Sequence, residues 1–409
     1  MPKRKKQSVV LIGAAIVAFA LITAMQFHFL ASREADVRSP HMPAEMPAEM
    51  QTDIQGAPRS DAVGQIATDQ MAAGALSRHA PRRLSEAGLS PPTPEFSEQL
   101  SDTLHPAFKR FQEGDYQQAL QLAQPIANAD NPYALHLVGY IYERGLAGAR
   151  DLKKARHYYQ RAAEMGYVDA EVSLGLLLVA TARAEADYAL AVGWFKRAAS
   201  KGDMRAIARL GTLYAEGLGV PRDDVLAMSL FEQAAAKGNS EGLFFVGMGA
   251  LDGRGRPKDP KAAAQNLILA ANAGHVEAAF NLALLYRSDL LGAPDKAEAT
   301  RYMQSAAAAG YGPALTAMGL YAHNGDAQGN AADWFEKASV AGDIQGRLLF
   351  AVSLAKGDGR ERNVDAARAL AVDVANHPDA SPEIAARADM LLRQLAGEAL
   401  AKRAVGLRE

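Results

Sequence analysis

The chain has 409 residues, 49% of them apolar but only 7% aromatic, with 44 Lys and Arg against 46 Asp and Glu. That balance lacks the basic footprint of a nucleic-acid binder. The absence of cysteine excludes a disulfide framework, a thiolate zinc site and a thiol nucleophile. Much of the apolar share is Ala, the best helix former, so the composition points to an all-α protein.

Residues 1–7 form a basic end, with Lys3, Arg4, Lys5 and Lys6. An uncharged run follows, and residues 8–31 are read as a transmembrane signal-anchor helix. Its apolar core, Val9 to Leu30, is long enough at about 1.5 Å per residue to cross a hydrocarbon layer of roughly 30 Å. The basic flank keeps that end in the cytoplasm by the positive-inside bias. The expected localisation is a bacterial inner membrane, single-pass, with the remaining chain in the periplasm. A cleaved signal, leaving a soluble periplasmic protein, is the alternative. Ala24 and Ala31 offer poor cleavage sites because Ile22 and Phe29 occupy the third position back.

Residues 32–103 are expected to be a disordered, Pro-rich tether. Pro40, Pro43, Pro47, Pro58, Pro81, Pro91, Pro92 and Pro94 punctuate it, and large apolar residues are few. A flexible tether of about 60 residues reaches roughly 40–45 Å.

Residues 104–133 read as a capping helical hairpin, with Gly114-Asp115 at its turn. A period then sets in over 134–380. Ala-Ala pairs begin at Ala162, Ala198, Ala234, Ala270 and Ala306, and Gly166, Gly202, Gly238, Gly274 and Gly310 move with them. A small residue recurs at Gly139, Gly175, Gly211, Gly247, Ala283, Gly319 and Ala351. A two-helix unit at this period predicts a solenoid in which each unit buries its apolar face against its neighbours. The cleanest copy runs from Ala206 to Glu241. In it Gly217 and Pro221 end the first helix, and Asp223 or Asp224 caps the second.

Ala206, Leu210, Gly211, Tyr214, Gly217, Gly219, Val220, Ala227, Phe231, Ala234, Ala235 and Gly238 carry a resemblance to the Sel1-like repeat, a relative of the tetratricopeptide repeat. About seven copies are recognisable between Ala134 and Ala375. The resemblance implies a right-handed α/α solenoid whose first helices line a concave side, and a binding scaffold rather than one set activity.

Several copies depart from the pattern. The second lacks the Gly turn, and its first helix is expected to run on for a further turn. The sixth is four residues short, a loss expected in the turn at Asn324–Asn330. Residues 381–409 read as a capping helix and tail, with Ile384, Ala388, Leu391, Leu392 and Leu395 on one side.

No catalytic motif emerges. The nine histidines show no metal-ligand spacing, and no nucleophile elbow or phosphate loop occurs. The expectation is a non-enzyme with no catalytic residue, no metal and no cofactor. Repeat phase instead suggests a concave partner-binding face made of first-helix positions not used by the Leu-Gly-Tyr packing. These are Tyr140, Glu143, Val172, Leu176, Phe244, Met248, Leu251, Phe280, Leu284 and Arg287. Such a row suits a peptide or helix of a protein partner, unless superhelical packing already covers it. His323 is a further accessible polar candidate. The expected role is a membrane-tethered adaptor or assembly factor of the cell envelope. The alternatives are a periplasmic regulator inhibiting a membrane signalling protein, or an enzyme acting on cell-wall glycan.

Overall fold

The computed structural model of the protein describes residues 103–404. The basic end, the expected transmembrane segment 8–31 and all but the last residue of the expected tether lie outside the described residues. Among the described residues no helix is long and apolar enough to cross a membrane.

The described residues form seventeen α-helices and no strand. Helices α1 (His105–Gln112) and α2 (Tyr116–Asn128) make an opening hairpin. Seven pairs follow: α3 (Pro132–Arg144) with α4 (Leu152–Glu164), α5 (Val168–Ala180) with α6 (Glu185–Ser200), and α7 (Met204–Glu216) with α8 (Asp224–Ala235). They continue with α9 (Ser240–Asp252) and α10 (Pro260–Asn272), α11 (Val276–Arg287) and α12 (Lys296–Ala308), α13 (Gly312–His323) and α14 (Ala331–Val340), and α15 (Ile344–Lys356) with α16 (Val364–Ala375). Helix α17 (Pro382–Ala404) closes the series. Each helix packs on its neighbours in sequence, as a solenoid requires.

Local chemistry sets the boundaries. Asp151, Asp203, Asp223, Asn239 and Asp259 accept backbone N–H bonds at helix starts, satisfying donors that have no intrahelical partner. Gly217 and Gly253 stop α7 and α9 in the left-handed region, at φ 70° and 73°.

The two glycines of the Gly-x-Gly turn do different jobs. Gly217 is the cap. Gly219, at φ 69°, lets the turn approach the preceding repeat, where a Cβ would stand 2.4 Å from the carbonyl carbon of Tyr188. Its N–H donates to Glu185 at 2.5 Å. Gly255 sits in the same way against Asp224, and Gly359 against Asn330.

Two expectations about irregular repeats are corrected. Helix α5 does not run on; it ends at Ala180, where the Thr181 hydroxyl donates back to the Leu177 carbonyl at 2.7 Å. The missing Gly turn is made good from the other side. Helix α6 starts early, and the Asp187 carboxylate accepts the N–H groups of Arg183 and Ala184 at 2.9 and 3.2 Å. In the sixth pair the shortening falls mostly in the first turn of α14, not in the loop. Helix α14 has 10 residues where α4 and α10 have 13.

In several pairs, a first-helix glycine lies under a large second-helix side chain. A Cβ on Gly139 would come 2.7 Å from the Tyr159 ring, on Gly175 2.6 Å from Phe195, and on Gly319 2.4 Å from Phe335. At the end of the array, Ala388, Leu391 and Leu395 of α17 are buried against the last pair.

Candidate functional site

The first helices carry nearly all the side chains proposed for a partner-binding face, and they are buried almost all round. In α3 every residue from Ala134 to Ile141 is buried. One side of a first helix meets its own second helix, and adjoining sides meet the neighbouring repeats. This packing takes up the face that repeat phase left free.

The ten positions therefore do not form an accessible groove of side chains. Val172, Leu176, Met248 and Leu284 are at most 4% exposed, and Phe244, Phe280, Leu251 and Tyr140 are at most 8%. Phe244 stacks on His275 of the next repeat with ring centroids 4.4 Å apart, and Phe280 meets Tyr311 edge-on at 5.3 Å. Tyr140 packs edge-on against Phe111 of the opening hairpin at 5.8 Å.

The two charged members are buried as well. Glu143 accepts a hydrogen bond from the Tyr159 hydroxyl at 2.8 Å. Burial raises its carboxyl above the ordinary range, and the Tyr159 bond opposes that only in part. Arg287 lies 4.3 Å from the centroid of the Tyr321 ring and reaches Asp326 at 3.4 Å. Of the proposed polar contacts, His323 is exposed.

Beneath this surface the repeats are joined by polar contacts. Glu171, with no exposed side-chain surface, binds Arg197 at 3.0 Å and Lys201 at 2.9 Å. The same two cations donate to the Ala163 and Gly166 carbonyls at the end of the preceding second helix, at 3.1 and 2.8 Å. They thereby complement the negative end of that helix dipole. His136 meets the Ser173 hydroxyl at 3.0 Å across the junction of the first two repeats. Burial pulls its imidazole down to about 4, while Asp169 raises it and Arg205 lowers it. Arg209 pairs with Glu241 at 3.0 Å. Burial raises the Glu241 carboxyl, Arg209 opposes the rise, and Glu277 adds to it.

What stays half-exposed is a row at the starts of the first helices: Tyr133, Asp169, Arg205, Glu241 and Glu277. Asp169 and Arg205 are linked at 2.5 Å, so adjacent repeats hold each other's polar side chains in place. Repeat phase had missed this row. The signal was available, because polar side chains recur one residue before the invariant small position that opens each first helix. Glu171, Arg209 and Asn281 were also missed. In sequence each looks like a solvated residue, and only the stacking of repeats buries it.

Comparison with known proteins agrees with this architecture. The Sel1 repeat family matches residues 132–167, 174–203, 205–239, 240–275 and 276–311. A Sel1 repeat protein from Oxalobacter formigenes is similar at 28% identity and a TM-score of 0.51, over 58% of this chain and 99% of that one. A protective antigen of uropathogenic Escherichia coli that displays an SLR fold is 25% identical over 68% of this chain and 72% of its own, at a TM-score of 0.42. No curated protein matches the chain.

Proposed function

Since the chain is a Sel1-like repeat protein, a class that generally mediates protein–protein contacts, we propose that it is a non-catalytic envelope scaffold. It is held to a membrane by residues 8–31 and presents its repeats to a protein partner on the extracytoplasmic side. The observation that carries the scaffold reading is the unbroken array of seven stacked helix pairs, each of which uses its apolar face on its neighbours. Such an array offers an extended surface rather than a single cleft. The apolar run flanked by Lys3, Arg4, Lys5 and Lys6 supports the tether and its orientation.

The partner meets the half-exposed row at the first-helix starts, because the ten deeper side chains are already taken up by packing within the array. An adaptor or assembly factor on these terms holds a partner without altering it.

The test is in-cell photo-crosslinking of the full-length chain. The crosslinker replaces Tyr133 or Glu277 in the row, or Asp365, whose side chain is 93% exposed in the last repeat pair. One identified envelope protein captured from both row positions, in the membrane fraction, supports the proposal. Capture only from Asp365 moves the site off the row, and a turned-over small-molecule product would replace the scaffold reading with an enzyme. The captured protein's identity decides between an assembly factor and a regulator of a signalling protein.

A further inference from the structure

Charge is balanced over the whole chain but not along the array. From Arg144 to Arg161 there are six Lys and Arg residues and a single acid, Asp151. Arg144 ends α3, Arg150 lies in the turn, and Lys153, Lys154 and Arg156 stand on α4; all five are exposed. Asp151 is tied into the α4 cap and lies 3.8 Å from Lys154. The acid just before the stretch, Glu143, is buried and held by Tyr159; of the acids around it, Asp130 pairs with Arg161 and Asp187 faces Arg156, which leaves the cations in excess.

The fold does not require these cations. One repeat further on, Lys153, Lys154 and Arg156 are replaced by Ala189, Leu190 and Val192; two repeats on, by Val225, Leu226 and Met228. On the neighbouring helix α2, Gln117, Gln118 and Gln121 are exposed and uncharged. Lys154 lies 4.8 Å from the centroid of the Tyr142 ring, which stacks on Tyr158. The ammonium of this lysine thus rests on an aromatic face at the exposed surface of α4.

We propose that this face of the first repeat pair binds a bilayer surface bearing anionic headgroups. The cations are spread along α4 and the loop before it on long stems, with Arg150 also donating from Nε to the Glu143 carbonyl at 2.8 Å. That distribution suits a plane of many negative charges better than one carboxylate, which a forked, fixed guanidinium would mark. Position favours the same partner, since the pair follows the hairpin where the N-terminal chain joins the array. Each Lys or Arg brought near an anionic bilayer strengthens the contact roughly fivefold. The proposal rests on the anchored reading only for the supply of a nearby bilayer.

The absence of cysteine gives a clean test, because one introduced cysteine is unique. Full-length Gln160→Cys, on the exposed face of α4, carries a fluorophore, with Asp365→Cys as the distant control. The chains are reconstituted into vesicles of phosphatidylcholine, or of phosphatidylcholine mixed with phosphatidylglycerol, carrying a headgroup-linked quencher. The expected result is quenching at Gln160→Cys only in the anionic vesicles, abolished by high salt and reduced more than tenfold in affinity by Lys153→Glu with Arg156→Glu. Asp365→Cys stays unquenched throughout, and unchanged circular dichroism shows the variant is folded. Equal quenching in both vesicles, or none in anionic ones, overturns the proposal; so does an acidic protein that displaces the face from the bilayer at equal charge. Retention of the chain by neutral vesicles after carbonate extraction reports separately on the anchor. A failure of the anchor and a failure of the basic face therefore give different results.

Discussion

Gly211 lies so close beneath Phe231 that a Cβ on the glycine would stand 2.6 Å from ring atom Cε1. The contact fixes how near α7 and α8 approach, and it recurs in other pairs with Gly139 under Tyr159 and Gly175 under Phe195. The glycine is thus a packing residue within a helix, where glycine otherwise costs about 1 kcal/mol relative to Ala.

Gly211→Ala is expected to destabilise the chain by about 1–3 kcal/mol, because overpacking outweighs the gain in helix propensity. Gly193 in α6 has no neighbouring atom within 4 Å of its would-be Cβ. Gly193→Ala should therefore stabilise by about 0.5–1 kcal/mol. Denaturant unfolding of the two variants checks the opposite signs; the same sign in both would remove the close-packing argument.

Gly219→Ala should cost about 1–3 kcal/mol through strain at positive φ and a clash with backbone rather than with a pliable side chain. The loss should be local to the junction of the second and third repeat pairs, since Gly219 approaches Tyr188 and Ala189. Amide exchange resolved by peptide would show it as faster opening around α6 and α7, with the opening hairpin unchanged.

Acid should loosen the first junction. In the folded chain the His136 imidazole is held at about 4 against an ordinary 6.5, so the native state binds fewer protons than the unfolded one between those values. Stability from this group is complete above pH 6.5 and falls as pH drops toward 4. Once both values are passed the loss approaches roughly 3 kcal/mol. Tyr159, Tyr167 and Ser173 surround the ring, with Asp169 and Arg205 as its charged neighbours. Glu143 and Glu241 have raised carboxyl values and act in the opposite sense, so the informative quantity is the difference between wild type and His136→Gln. That difference should vary with pH in this window, and parallel stability curves would refute the assignment.

Glu171→Gln should cost about 1–3 kcal/mol, the range for weakening charge-assisted hydrogen bonds made by a buried group. Arg197 and Lys201 keep their carbonyl contacts, which limits the loss. Exposed Glu164→Gln on α4 is the comparison, expected within about 0.5 kcal/mol of wild type. Thermal unfolding of the pair is sufficient.

The repeat units were legible because the same few residue types return at one spacing, and each type has a local meaning. Gly217 must cap and Asp223 must start a helix wherever they occur. The surface was not legible in the same way. Removing the Leu210, Gly211 and Tyr214 face from a first helix leaves positions that look free, but stacking applies a second burial that no single repeat contains. Phe244 is covered by His275 from the following repeat, and Arg209 is paired with Glu241 of the next repeat. Repeat 2 shows the same limit on the local scale. Loss of its glycines was plain, but the Asp187 carboxylate that replaces them is a cap at the third helical position, accepting N–H groups three and four residues back, and a search for glycines passes it over.

The short α14 carries a consequence for how such arrays can change length. Phe335 still covers Gly319, although the chain between them is four residues shorter than between Gly211 and Phe231. Four residues are close to one helical turn, so their removal rotates the helix by only about 40° and the ring returns to nearly the same side. Loss of two residues would turn it to the far side and leave the glycine uncovered. Insertions and deletions in a second helix are thus admitted in steps of a turn, each moving the loop by about 6 Å along the helix axis. The edge of the array is free to acquire notches and ledges, while the interior register that sustains it does not drift.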